Sequence, residues 1–299
     1  MRRIASGLIV IMSVLLVSCN GKTGNTITVG SDKLDNTQSY FSESMHKAAR
    51  CDSGYYYLDK CGASADNLMF YDDKSEESIV LCNKPQCGHD GEECMAYISG
   101  SEFKSELYYY NSYIYMISSK GNFVRISADG TQRTDLGSIC VLSGQDSVSM
   151  CFNDGYAYVS QEITGDIEGN VTVRLYRFNL DTGLSDKIYE ETGYGIGINS
   201  LKTYGSDTFF LKTSVSKDDK GLYSLEGKGI FRITGEDTEC LLDKNVYSYC
   251  IDADNNKLYY SGLGDGTIYE YDLGSGKSES IYKSDNDTGY FYITFDGNY

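Results

Sequence analysis

The chain has no tryptophan, one proline and two histidines in 299 residues, and its 26 Lys and Arg are outnumbered by 43 Asp and Glu. Each shortage excludes something. Phosphate backbones are held by clustered Lys and Arg; a formal charge of −17 without such a cluster argues against nucleic acid as a partner. It argues equally against electrostatic attachment to anionic lipid. There is no Gly-x-Ser-x-Gly elbow and no Gly-x-x-x-x-Gly-Lys loop, which removes two common catalytic and phosphate-binding devices. Imidazole chemistry could draw only on His46 and His89, and "SESMHKAARC" offers His46 no partner. One proline among 32 glycines and 28 tyrosines is the composition of strands joined by tight turns.

The one long apolar run is at the start. "MRRIASGLIVIMSVLLVSC" sets two arginines before an apolar stretch from Leu8 to Val17. That stretch is shorter than the ~20 apolar residues that cross a bilayer comfortably, and reads as a signal peptide over residues 1–18. Leu16-Val17-Ser18-Cys19 resembles the bacterial lipobox, a resemblance that implies cleavage before Cys19 and a lipid on its sulfur. Residues 19–44 then comprise the lipidated cysteine and a polar, flexible tether. The expected location is the extracytoplasmic face of the cell membrane, with contact through the lipid anchor only. Loss of residues 1–18 removes Arg2 and Arg3 and leaves the mature chain two units more negative.

Internal repetition defines the rest, residues 45–299. "CDSGYYYLDK", "CFNDGYAYVSQ" and "CIDADNNKLYYSG" each place a cysteine before an Asp/Asn/Gly turn and a Tyr-rich run. "LYYYNSYIYMIS", "LKTYGSDTFFLK" and "YITFDGNY" repeat the hairpin without the cysteine. A second hairpin follows five of the six, with turns near Asp72, Asp129, Asp181, Gly235 and Asp272. Four short strands per unit of about 40–50 residues predict an all-β chain, a β-propeller of four-stranded blades. About five blades are complete and one is partial, so the propeller is expected to be incomplete at the C-terminal side, with a natural chain longer by at least one blade, an open gap, or a strand donated from residues 25–45.

"KLYYSGLGDGTIYEYDLGSGKSESIY", Lys257 to Tyr282, resembles a blade of the low-density-lipoprotein-receptor type of β-propeller. The Trp-Thr-Asp core of that family is replaced by Tyr-Ser, Leu-Asp or Ile-Ser, so its ligand surface does not carry over. With the lipobox, the chain resembles propeller lipoproteins of Gram-positive anaerobic bacteria; this implies a location and a fold, not an activity.

The densest chemistry is in "LCNKPQCGHDGEEC", which holds Cys82, Cys87, His89, Cys94 and the single proline, Pro85. It falls in a link between the first and second units roughly twice as long as its counterparts, so it marks an insertion on one propeller face. Three thiols and an imidazole would complete a tetrahedral structural zinc site, although Cys-x4-Cys-x-His-x4-Cys is not a standard finger spacing. A disulfide within Cys82, Cys87 and Cys94, or to Cys61, is the first expectation; zinc is second, and reduced packing cysteines third. No other cofactor is expected. Cys51, Cys151 and Cys250 are read as buried apolar residues at one shared blade position, and Cys140 and Cys240 as structural. Acid pairs such as Asp72-Asp73, Glu76-Glu77, Glu92-Glu93 and Asp218-Asp219 read as solvated turns, and "DADNNK" as a hairpin turn. The functional expectation is a binding or scaffolding module for a protein, peptide or glycan. The alternative is an extracellular glycan-acting hydrolase or lyase with paired carboxylates near the channel.

Overall fold

The computed structural model describes residues 48–99, 107–143, 146–165, 169–204, 207–235, 237–252, 255–285, 289 and 291–293. The stretches expected to form a signal peptide (residues 1–18) and a lipidated tether (19–44), together with His46 and residues 294–299, lie outside the described residues. Turn chemistry decides where the chain reverses. Gly155 (φ 75°) with Asp154 (φ 46°), and Asn111 (φ 46°) with Ser112 (φ 63°), supply the left-handed pairs of two-residue hairpin turns.

The first sheet runs β1 (Ala48–Cys51), β2 (Gly54–Lys60), β3 (Ala65–Asp72), β4 (Glu77–Val80), with β5 (Tyr97–Ser99) also on β3. The second runs β6 (Tyr108–Tyr110), β7 (Tyr113–Ile117), β8 (Asn122–Ser127), β9 (Arg133–Ser138). The third runs β10 (Ser147–Asn153), β11 (Tyr156–Thr164), β12 (Asn170–Asn179), β13 (Ser185–Tyr194). The fourth runs β14 (Gly197–Tyr204), β15 (Asp207–Lys217), β16 (Tyr223–Thr234), β17 (Asp237–Leu242). The fifth runs β18 (Val246–Asp252), β19 (Lys257–Gly262), β20 (Thr267–Asp272), β21 (Ser278–Lys283). Every pairing is antiparallel and, apart from β5 on β3, joins neighbours in sequence, the meander expected of propeller blades, and no helix occurs among the described residues.

Alternation along the strands sends side chains to both faces of each sheet, and four cores fill the spaces between consecutive sheets. Cys51, Tyr56, Leu68 and Phe70 meet Ile114, Met116 and Ile126 between the first and second. Phe123 meets Phe152 and Phe178 between the second and third, Leu175 meets Phe210 between the third and fourth, and Phe209 meets Tyr260 between the fourth and fifth. Inner strands touch in the order β1–β6–β10–β14–β18. On the far side of the fifth sheet, Ser261 Oγ donates to the Phe291 carbonyl at 2.6 Å and the Ile293 amide donates to Ser248 Oγ at 3.0 Å.

One irregularity recurs. Counting from the first residue of each second strand, the buried residues Phe123, Leu175 and Ile230, with Ile268, occupy one equivalent place on the third strands. At each of them the register with the outer strand shifts, leaving extra residues bulged on β9, β13, β17 and β21. In the first sheet the equivalent residue is Leu68, and there the outer strand breaks altogether. The Leu81 amide donates to the Leu68 carbonyl at 2.9 Å, and the Leu68 amide donates to the Ala96 carbonyl at 2.8 Å. β4 therefore ends at Leu68, the chain leaves, and β5 resumes the same outer position by pairing Asn67 with Tyr97.

The insertion is thus not in the link between two sheets on a propeller face, as its sequence position implied. Residues 82–95 grow from the bulge position at the outer edge of the first sheet. A second expectation also needs correction. Register is set by the turn, which follows Cys51 directly but comes two residues later after Cys151 and Cys250. Cys151 and Cys250 are equivalent, whereas Cys51 stands where Asn153 and Asp252 stand. Asp252 and Lys257, the two ends of "DADNNK", pair across the β18–β19 hairpin, and residues 253–254 between them lie outside the described residues.

Candidate functional site

The excursion of residues 82–95 has no strand of its own, and its side chains converge. The ligand atoms of Cys82, Cys87, His89 and Cys94 all lie within 4.8 Å of one another. His89 Nδ1 is 3.3 Å from Cys94 Sγ. Bringing Cys87 and His89 together across Gly88 requires left-handed backbone at two residues that rarely adopt it, Gln86 (φ 58°) and His89 (φ 57°). Cys94 is fully buried in the first core, while Cys82 and Cys87 pack against its edge. All nine described cysteines are free thiols. Cys61 approaches from the end of β2, and its thiol donates to the His89 carbonyl at 3.4 Å.

Backbone amides complete the surroundings. Those of Lys84 and Met95 are directed at Cys82 sulfur, and that of Ala96 at Cys94 sulfur. Burial raises the Cys82 pKa, but the two amides and the Cys94 and Cys87 thiols outweigh it, and Cys82 ends below the ordinary thiol value. Cys94 goes the other way: burial, despite the Ala96 amide, and the neighbouring sulfurs push it up to about 12. Lys84, ion-paired with Glu93 at 2.9 Å, adds positive charge close to Cys82 and Cys87. Four soft or borderline donors in one small volume, with amide donors to two sulfurs, can hold a metal or form a disulfide.

The excursion is docked as well as folded. The Asn83 amide donates to the Gly130 carbonyl at 3.2 Å, across to the turn of the second sheet. Arg133 Nη1 donates to the Tyr97 carbonyl at 2.8 Å. Gly130 has φ 68°, and a Cβ there would lie 2.7 Å from the Leu81 carbonyl carbon and oxygen.

A second feature was missed in the sequence. β15 and β16 have 11 and 12 residues, longer than the equivalent strands of the first, second and fifth sheets, and their hairpin extends beyond its sheet. At its tip Leu222, Tyr223 and Leu225 are 65%, 60% and 53% exposed. The Tyr223 ring stacks on Tyr194 of β13 at 6.2 Å between centroids, and Lys217 Nζ lies 5.2 Å from the Tyr223 ring centre. Hydrogen bonds with Tyr194 and Lys217 lower the Tyr223 pKa. Paired hydroxyls flank the rings, Thr172 with Thr192 and Ser216 with Ser224, both at 2.8 Å. The only signal in the sequence was the extra length of "SVSKDDKGLYSLEG".

The acid pairs do other work. Asp72 accepts the Lys74 and Ser75 amides, Asp73 pairs with Arg50 at 2.6 Å, and Asp218 accepts the Lys220 and Leu222 amides.

No family model matches the chain, and no curated protein does. Solved structures do. A chain of a nidogen/laminin complex is 13% identical with a TM-score of 0.43, over 81% of this chain and 80% of that one. Oligogalacturonate lyase from Vibrio parahaemolyticus is 8% identical with a TM-score of 0.39, over 88% and 87%. A puromycin hydrolase mutant is 11% identical with a TM-score of 0.51, over 80% of this chain and 39% of that one. At such identities the likeness concerns the fold alone.

Proposed function

We propose that this chain is a β-propeller binding module, held at the extracytoplasmic face of the cell membrane by a lipid on Cys19. Its partner is a protein, peptide or glycan. The observation that carries the reading is the exposed ledge formed by Tyr194, Leu222, Tyr223 and Leu225 at the adjoining ends of the third and fourth sheets. Exposed apolar side chains gathered at one place, with hydroxyl pairs beside them, are what a binding surface presents. Tyrosine rings lose little entropy when they seat against a sugar ring or an apolar side chain. No helix among the described residues is long and apolar enough to cross a membrane, and the anchor proposed is a lipid rather than a span.

The competing reading, a glycan-cleaving enzyme, needs two carboxylates facing a common substrate. Asp72 and Asp218 instead accept turn amides, and Asp73 pairs with Arg50, so these three carboxylates are engaged within the fold. A glycan array and a surface pull-down with the full chain, run beside Tyr223→Ala, test the proposal. Retention by a partner, weakened at least tenfold in Tyr223→Ala, supports it. Turnover of a glycan by the wild type, or retention unchanged in Tyr223→Ala, overturns the reading of the ledge.

A further inference from the structure

We propose that Cys82, Cys87, His89 and Cys94 bind one Zn²⁺ in a closed tetrahedral Cys₃His site, which pins the inserted segment into the broken outer strand of the first sheet. The inference is independent of the ligand-binding proposal.

Geometry carries it. Zinc bonds of about 2.3 Å to sulfur and about 2.0 Å to nitrogen set donor atoms roughly 3.5–3.8 Å apart on the edges of a tetrahedron. The four donors here lie within 4.8 Å of one another in every pairing, with nitrogen and sulfur as close as 3.3 Å. A small contraction about a central ion reaches bonding distance. A disulfide would join two of the sulfurs, leave the third odd, and give no role to an imidazole whose own backbone is held left-handed at φ 57°. Binding all four donors to one ion accounts for every member of the set.

The surroundings fit a metal thiolate. The amides directed at sulfur come from Lys84 and Ala96, each two residues beyond its cysteine, together with Met95. Such donors disperse the negative charge of coordinated thiolates and orient them. Three thiolates and a neutral imidazole around Zn²⁺ leave one net negative charge, and Lys84, which also pairs with Glu93, is a cation close to Cys82 and Cys87. An iron–sulfur cluster is less apt. Iron–sulfur clusters ordinarily take four cysteines, and a lone tetrahedral thiolate–imidazole set is typical of zinc.

The topology gives the site its task. At Leu68 the chain departs from Leu81 and returns at Ala96, both held to the same residue. Four other sheets tolerate a small bulge at this place, whereas here residues 82–95 must leave and return without internal strand pairing. Closing the segment on a metal reduces the freedom that the unfolded loop would otherwise recover. It also fixes Cys94 in the core and Asn83 against Gly130. With all four positions taken by protein, no coordination site is open, so the role is structural.

The test uses the full chain purified under inert gas from zinc-supplemented cells. Elemental analysis should find one zinc per chain, and replacement by Co²⁺ should give the intense visible bands of tetrahedral cobalt thiolate. Cys87→Ser and His89→Ala should each lower zinc retention at least tenfold, while Cys240→Ser, at an exposed position, should keep it. If the ligand variants do not fold, titration of the wild type with an organomercurial must release zinc as thiols are blocked. Removing the metal should speed Glu-C cleavage after the exposed Glu92 or Glu93 at least tenfold. Protein that folds without zinc and binds neither Zn²⁺ nor Co²⁺ would overturn the proposal. So would a disulfide among Cys82, Cys87 and Cys94 found by mass spectrometry in protein isolated this way.

Discussion

Gly130→Ala tests how closely the inserted segment is seated on the second sheet. Gly130 holds φ 68°, and a methyl group there would stand 2.7 Å from the carbonyl carbon and oxygen of Leu81 and 3.0 Å from the Cys82 nitrogen. None of these atoms can rotate aside, because all are backbone. Two costs add. The left-handed conformation costs a non-glycine residue about 1–2 kcal/mol. Separating the two segments strains or breaks the Asn83-to-Gly130 hydrogen bond, about 1 kcal/mol, and loosens the packing around Leu81, of order 1–3 kcal/mol. Gly235 is the control: it has φ 65°, and nothing lies within 4 Å of its would-be Cβ. Gly155, with φ 75° and equally open space, is a second. Both controls bear only the conformational cost, so Gly130→Ala should be less stable than either by about 3 kcal/mol. For a domain of this size that difference corresponds to a melting point roughly 6–12 °C lower. Thermal unfolding of the three variants, followed by far-ultraviolet circular dichroism, makes the comparison. Melting of Gly130→Ala within about 2 °C of Gly235→Ala would refute the close seating, since conformation alone would then explain the loss.

The remaining expectations are brief. Cys19→Ala should release the protein from membranes or leave it unprocessed; processed protein that still pellets with membranes would contradict lipid anchoring. Glu191 is raised by burial but lowered further by hydrogen bonds from Lys212, 2.5 Å away, and Tyr189, so its folded pKa lies below the ordinary value of 4.5. A lowered carboxylate pKa stabilises the fold above that ordinary value, and the contribution is lost as pH falls through the folded one. Glu191→Gln should therefore be less stable than wild type near neutrality and indistinguishable from it in acid; a deficit of equal size at both ends would be inconsistent with the ion pair. Native-state alkylation should modify exposed Cys240 well before Cys140 and Cys250, whose pKa burial pushes up to about 11, and before the fully buried Cys151. Peptide mapping of early time points shows the order, and early loss of Cys151 would mean that the core between the third and fourth sheets opens readily.

What was legible in the sequence is what depends on neighbouring residues. Asp154-Gly155 and Asn111-Ser112 announce hairpins because left-handed backbone has few tolerant residues, and all five complete hairpin pairs stand where their turns were read. The bulges opposite Phe123, Leu175, Ile230 and Ile268 carry no such signature, because a bulge is a relation between two strands and needs no special residue on either. The same blindness misplaced the insertion. β5 has only three residues, too few for a pattern, and its pairing partner Ala65–Asn67 lies before the excursion it follows. A run of Cys, Pro, Gly and Asp therefore read as a link between blades when it is an outgrowth of one strand. The four donors were visible as residue types, yet their spacing fits no standard finger. Their convergence depends on left-handed backbone at Gln86 and His89, neither of them a residue that advertises a turn. The Tyr194–Tyr223 stack joins two different sheets, and only the packing of the third on the fourth brings those rings together. Local chemistry thus fixes where the chain turns, while the contacts that build a site are settled by how the blades stack. Pairing within one sheet is equally silent in the sequence: Leu68, an ordinary buried leucine, holds both Leu81 and Ala96, the two ends between which the candidate metal site lies.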